Sequence, residues 1–175
     1  MYTSIEQFKN VYGRERDLTS KVLHNLTDAA LTTCKASDDS MSICHLGWHV
    51  AISPAGILNQ AGLEIEHPSV GGWSPPEGTT AESIASTYDR VSQEVLDNVG
   101  QWNDTDLNTV KQFFGMDWPL GVALTATIHH EIHHRGQLSV MMRQAGLTVP
   151  SIYGPNREET AEFMKKMAGG QPAGA

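Results

Sequence analysis

Basic residues are scarce in this chain: 12 Lys and Arg stand against 20 Asp and Glu, for a formal charge of −8 over 175 residues. A nucleic-acid binder needs clustered cations to neutralise phosphates. No basic run of that kind occurs, so no nucleic-acid partner is expected. Cysteine is nearly absent. The only two, Cys34 and Cys44, make neither a disulfide framework nor a four-cysteine metal site. Long apolar runs are missing as well. The longest apolar-rich stretch, "PLGVALTATI", is too short to span a bilayer. The opening "MYTSIEQFKNVYGRERD" has no apolar centre and is charged early, which does not read as a signal peptide. Together these absences describe a cytoplasmic protein with reduced thiols and no membrane partner.

What is present is an ordinary globular composition, 39% apolar and 18% charged. The length suits a single domain over residues 1–168, with the tail "GGQPAGA" (169–175) expected to be disordered. Helical spacing dominates. A first helix opens at the Ser4…Gln7 capping spacing, carries Ile5, Phe8, Val11, Tyr12, Leu18, Val22 and Leu26, and runs to about Lys35. A second starts near Ser42, meets Pro54, which forces a kink or a restart with Ser53 as cap, and ends by Gly62. The Pro/Gly stretch "EHPSVGGWSPPEG" is a long loop of the kind that often rims a functional site.

A third helix begins at a Thr79…Glu82 capping box, and a short polar helix is expected in "TDLNTVKQFF". The fourth long helix starts at Trp118-Pro119 and stops at Ala145-Gly146. Asn156…Glu159 caps a last short one. No segment alternates with period two, so the expected fold is all-α, a four-helix bundle with short additional helices.

Residues 129–137, "HHEIHHRGQ", put four histidines in six positions. At about 100° per residue, His134 falls within the apolar face of its helix and His130 at the edge of that face. His129 and His133 point the other way. An i, i+4 pair of imidazoles can grip one metal ion, but a tight site needs a third ligand. The second helix offers His45 and His49, again at i, i+4. His49 lies in the apolar run "LGWHVAI", and His45 lies nearer the helix start.

The same run contains His130-Glu131-Ile132-His133-His134, which satisfies the H-E-x-x-H pattern of zinc proteases. That chemistry also needs a third ligand and a strand edge to hold a peptide. The sequence lacks the downstream Gly and His of the metzincin pattern, and neither Glu158 nor Glu159 has a context that supports it as the ligand. Glu131 lies four residues before Arg135, so an intrahelical ion pair is reason enough for it.

The stretch "HHEIHHRGQLSVMMRQAGLTVPSIYGP", with "GMDWPLG" before it and "SICHLGWHVAIS" upstream, closely resembles the DinB/YfiT-like family of metal-binding bundles. The resemblance covers about residues 4 to 160. It implies up-down-down-up topology, a homodimer and a metal triad on His49, His130 and His134. Glu131, His133, Arg135 and Gln137 match the surrounding motif without being ligands. The family's characterised members are largely transferases and isomerases that use low-molecular-weight thiols such as bacillithiol or mycothiol. The implied function is metal-dependent activation of such a thiol toward a small-molecule substrate. The alternatives are hydrolysis by an activated water and a non-catalytic, stress-related metal-binding dimer.

Three neutral imidazoles leave coordination positions open, as catalytic sites do, and all-nitrogen ligation suits Zn, Ni or Fe. Glu131 is the candidate proton acceptor or hydrogen-bond partner to a ligating imidazole. Trp73 and Tyr153 could reach a site mouth from their loops, and Trp48 is expected in the core. No catalytic role is expected for Cys34 or Cys44.

Overall fold

The computed structural model describes residues 1–32, 41–68 and 72–169. Cys34 and the tail beyond residue 169 lie outside the described residues. Long helices form where one stripe of side chains can leave water. α1 (Ile5–Leu23) buries Phe8, Tyr12, Thr19 and Val22. α3 (Ile43–Leu58) is buried along nearly all its length. α4 (Ala81–Asn98) buries Ile84, Tyr88, Val91 and Val95, and α5 (Leu120–Gln144) buries Leu124, Ile128, Leu138 and Met142. Each large apolar side chain taken fully out of water contributes about 1.5–3 kcal/mol. The four helices make a bundle in which α1 and α3 each pack against both α4 and α5. α4 and α5 therefore stand on one diagonal. The topology is up-down-down-up, and the long α3–α4 connection is what lets those two neighbours run in the same direction.

The first helix does not reach Lys35. It ends at Leu23, and the chain turns before a single helical turn, α2 (Asp28–Leu31). Leu26, Ala30 and Leu31 stay buried after the helix has stopped, so the apolar spacing outlasts the helix. The second helix ends at Leu58, short of Gly62, and it neither restarts nor needs a cap at Ser53. Pro54 sits inside it, and the Ser53 hydroxyl donates to the His49 carbonyl. Dense burial of Val50, Ala51, Ile52, Ala55 and Leu58 outweighs the roughly 3 kcal/mol an interior proline costs. Ser42 caps this helix by accepting the His45 amide at 3.3 Å.

The capping box of α4 lies one residue later than expected. Thr80 accepts from the Ser83 amide at 3.1 Å, and Ser83 Oγ accepts from the Thr80 amide at 2.9 Å. The expected polar helix is instead a 3-10 turn, Asp106–Asn108, followed by a hairpin of β1 (Val110–Phe113) and β2 (Met116–Pro119). The turn places Phe114 at φ 49° and Gly115 at φ 82°, the paired positive φ of a type I′ hairpin. Gly146, at φ 80°, ends α5 as expected. Asn156 and Glu159 form the last cap: the Glu159 amide donates to Asn156 Oδ1 at 2.8 Å and Glu159 Oε2 accepts from the Asn156 amide at 3.2 Å.

That cap opens α6 (Arg157–Gly169), held at its start by Glu158 and Arg143 of α5, which are paired twice at 2.8 Å. No described helix is long and apolar enough to cross a membrane.

Candidate metal centre

α3 and α5 lie side by side, and their contact brings three imidazoles together. His49 Nε2 stands 3.3 Å from His130 Nε2, and His134 Nε2 stands 3.2 Å from the same atom. The His130 and His134 rings are one turn apart on α5, with centroids 4.4 Å from each other. Ligand atoms of all three residues lie within 4.8 Å of one another. Two nitrogens held at about 2.1 Å by one ion, with about 100° between them, stand about 3.2 Å apart. The observed separations match that figure, so the residues fit a transition metal.

The protonation states fit as well. Burial, and then the neighbouring His134, push His49 down to about 4. Burial followed by the three nearby histidines pushes His130 to about 4. His134 is also lowered by burial, against an opposing hydrogen bond to Gln137. All three are therefore neutral near pH 7, the form that ligates. Gln137 Oε1 lies 2.7 Å from His134 Nδ1. An amide oxygen only accepts, so Nδ1 carries the proton and Nε2 offers its lone pair to the centre. His49 Nδ1 is buried without such a partner.

Among the described residues no fourth histidine, cysteine or carboxylate joins this group. His45 stands apart, with its Nδ1 3.0 Å from Ser42 Oγ. His129 and His133 are exposed. Trp73 reaches the site from the long loop, with its ring 5.4 Å from that of His49, and Trp48 packs in the core. Tyr153 is drawn elsewhere: its hydroxyl donates to Glu15 Oε2 at 2.6 Å and accepts from Arg135.

Glu131 and Arg135 do not form the expected intrahelical pair. Both are buried, at 3% and 1% exposure, and Thr19 stands between them. The Thr19 hydroxyl donates to Glu131 Oε1 at 2.7 Å and accepts from Arg135 at 2.9 Å. The Tyr88 hydroxyl donates to the same Glu131 oxygen at 2.7 Å, while Arg135 pairs with Glu15 at 2.6 Å. Burial pushes the Glu131 carboxyl up, against the pull of Tyr88, Thr19 and Arg135. Its second oxygen is buried with no partner.

The signal for this burial was in the spacing. Leu124, Ile128, Glu131, Arg135, Leu138 and Met142 follow one another at steps of four, three, four, three and four. That is the stripe a bundle helix turns to the core.

A solved DinB-like protein from Bacillus cereus ATCC 10987 is similar to this chain, with a TM-score of 0.80 and 36% identity over 87% of this chain and all of that one. A second, YjoA of Bacillus subtilis, shares the fold at a TM-score of 0.65 and 20% identity, over 86% of this chain and 99% of its own. The uncharacterized protein YrdA of Bacillus subtilis (strain 168) is 35% identical over 164 residues, 93% of this chain and 96% of that protein. The DinB family profile matches residues 1–170. By that match, which spans nearly the whole bundle, the chain belongs to the DinB family.

Proposed function

We propose that His49, His130 and His134 hold one divalent transition metal, Zn or Ni in preference to Fe, and that the protein is an enzyme transferring a low-molecular-weight thiol to a small electrophile. The observation that carries this reading is convergence of three neutral Nε2 atoms with no fourth protein ligand among the described residues. A purely structural metal is normally enclosed by four protein ligands, whereas a catalytic one keeps a position open. Bound there, the metal would supply a Lewis acid that lowers the pKa of a thiol or a water.

The chain's own residues do the rest. Gln137 fixes the His134 tautomer, and burial keeps His49 and His130 neutral. In the transfer an S–H bond and a carbon–leaving-group bond break, a carbon–sulfur bond forms, and the proton departs with the leaving group. Glu131 enters this reading as a positioning residue, because its carboxylate is held in the core by Thr19 and Tyr88.

The reading also takes the protein as a cytoplasmic homodimer. Phe163, Met164 and Met167 on α6, each at least 60% exposed, offer apolar surface for a second copy. Sedimentation at micromolar concentration checks that part.

The test of activity is titration of the cobalt-substituted protein with bacillithiol, mycothiol, glutathione and coenzyme A. A thiol-dependent near-ultraviolet band with one of them, followed by conjugation of a generic electrophile, is the expected result. Hydrolysis of simple esters or amides without any thiol response would replace the transferase with a hydrolase. Silence in both assays would leave a metal-binding protein without catalysis.

A further inference from the structure

We infer that Trp73 forms an aromatic wall beside the three-histidine cluster, a subsite that takes a flat conjugated or aromatic group of the substrate. The inference rests on the reacting atom lying at the cluster, as proposed above. His49 and Gly56 are seven residues apart on α3, two turns along one side of the helix. A Cβ built on Gly56 would meet Trp73 Cη2 at 2.3 Å, with Cζ3 and Cζ2 at 3.0 and 3.1 Å. The outermost ring carbon is the nearest atom, so the indole meets the helix by its edge. Only glycine admits that approach.

The ring lies 5.4 Å from the His49 ring of the cluster and 5.8 Å from the His67 ring, which it meets edge to face. Beside these neighbours it remains 44% exposed. A molecule reacting at the histidines therefore has its next few atoms against this indole. An exposed indole beside the cluster favours a planar partner, which stacks or packs edge to face, over a puckered one of equal size.

The test uses the zinc-loaded protein labelled with nitrogen-15. The four tryptophans give indole N–H resonances, and Trp73→Phe assigns the one in question. 4-Nitrobenzyl alcohol is expected to shift that resonance saturably and to bind about three- to tenfold more tightly than cyclohexylmethanol, the range an aromatic pair contributes. Trp73→Leu should abolish the preference for the planar ligand, and Gly56→Ala should weaken it by displacing the ring. Trp73→Phe should retain most of it. Equal affinity for the two alcohols, or a shift confined to the other tryptophans, would overturn the inference. Zinc content measured on the same samples separates this outcome from failure of the metal centre, since Trp73→Leu leaves all three ligands in place.

Discussion

Thr19 Oγ1 stands 2.7 Å from Glu131 Oε1 and gives that carboxylate its hydrogen from another helix. The same hydroxyl receives the Arg135 guanidinium at 2.9 Å, so one small side chain of α1 joins two buried charges of α5. Arg135→Ala would leave Thr19 without this donor and Glu15 with only the Tyr153 hydroxyl, and losing one partner of a buried pair costs up to about 3–5 kcal/mol. Urea unfolding followed by circular dichroism is the measurement. A loss below about 1 kcal/mol, the value of a surface pair, would mean the guanidinium is not held as described.

Metal content tests the helix faces directly. Purified protein should carry about one transition metal per chain. His49→Ala, His130→Ala and His134→Ala should each remove most of it, and His129→Ala and His133→Ala should not. Equal loss from an exposed histidine, read by inductively coupled plasma spectrometry, would place the ligands on the wrong side of α5.

His45 offers a sharper contrast, being one turn from His49 on the same helix. Its ring is engaged by Ser42 Oγ at 3.0 Å. His45→Ala should therefore leave the visible spectrum of the cobalt form unchanged, with band intensities that report an open site. A closed four-nitrogen spectrum that disappears on His45→Ala would make the centre structural.

The pH dependence of stability should contain a contribution from Asp89. Partial burial raises its carboxyl, but hydrogen bonds with His24 and Ser20, both at 2.7 Å, outweigh that and hold it below its ordinary value. Between the folded and the ordinary value the unfolded chain binds more protons, so stability falls as pH drops through that window. Asp89→Asn should flatten the acid limb of the stability curve below about pH 4. An acid limb of unchanged slope would show that the depressed carboxyl is not Asp89.

Which parts of this architecture could be read in advance follows from what each residue buries. The long helices were legible because each turns one stripe inward, and the histidine cluster because two i, i+4 pairs lie on such helices. The hairpin was not. Val110, Lys111 and Gln112 are all exposed, so β1 has no alternation to detect. Its turn is also disguised, with Phe114 where Asn usually takes positive φ.

The end of α1 was hidden because Leu26 and Leu31 remain buried beyond it. Burial of Glu131 and Arg135 was missed because charged residues on a wide stripe are expected to face water. Their partners are spaced likewise: Phe8, Tyr12, Glu15, Thr19 and Val22 on α1, and Ile84, Tyr88, Val91 and Val95 on α4.

The Tyr88–Glu131 hydrogen bond crosses the diagonal of the bundle, and that has a consequence for the uniqueness of the fold. Apolar stripes alone specify the axial position of four helices less sharply than buried polar groups do, since the hydrophobic contribution is non-directional. A slide of α5 here would carry its carboxylate away from Thr19 and Tyr88 and its guanidinium away from Glu15, leaving charges stranded in the core. The polar centre thus acts as an address that only one alignment satisfies. Replacing Thr19, Glu131 and Arg135 together with Val, Leu and Met is expected to keep a cooperative melt while broadening the amide NMR spectrum. Sharp, single amide peaks in that variant would show that packing alone chooses the alignment. Sharp peaks lost in that variant would mean that the register setting His49 opposite His130 and His134 is specified by side chains outside the cluster.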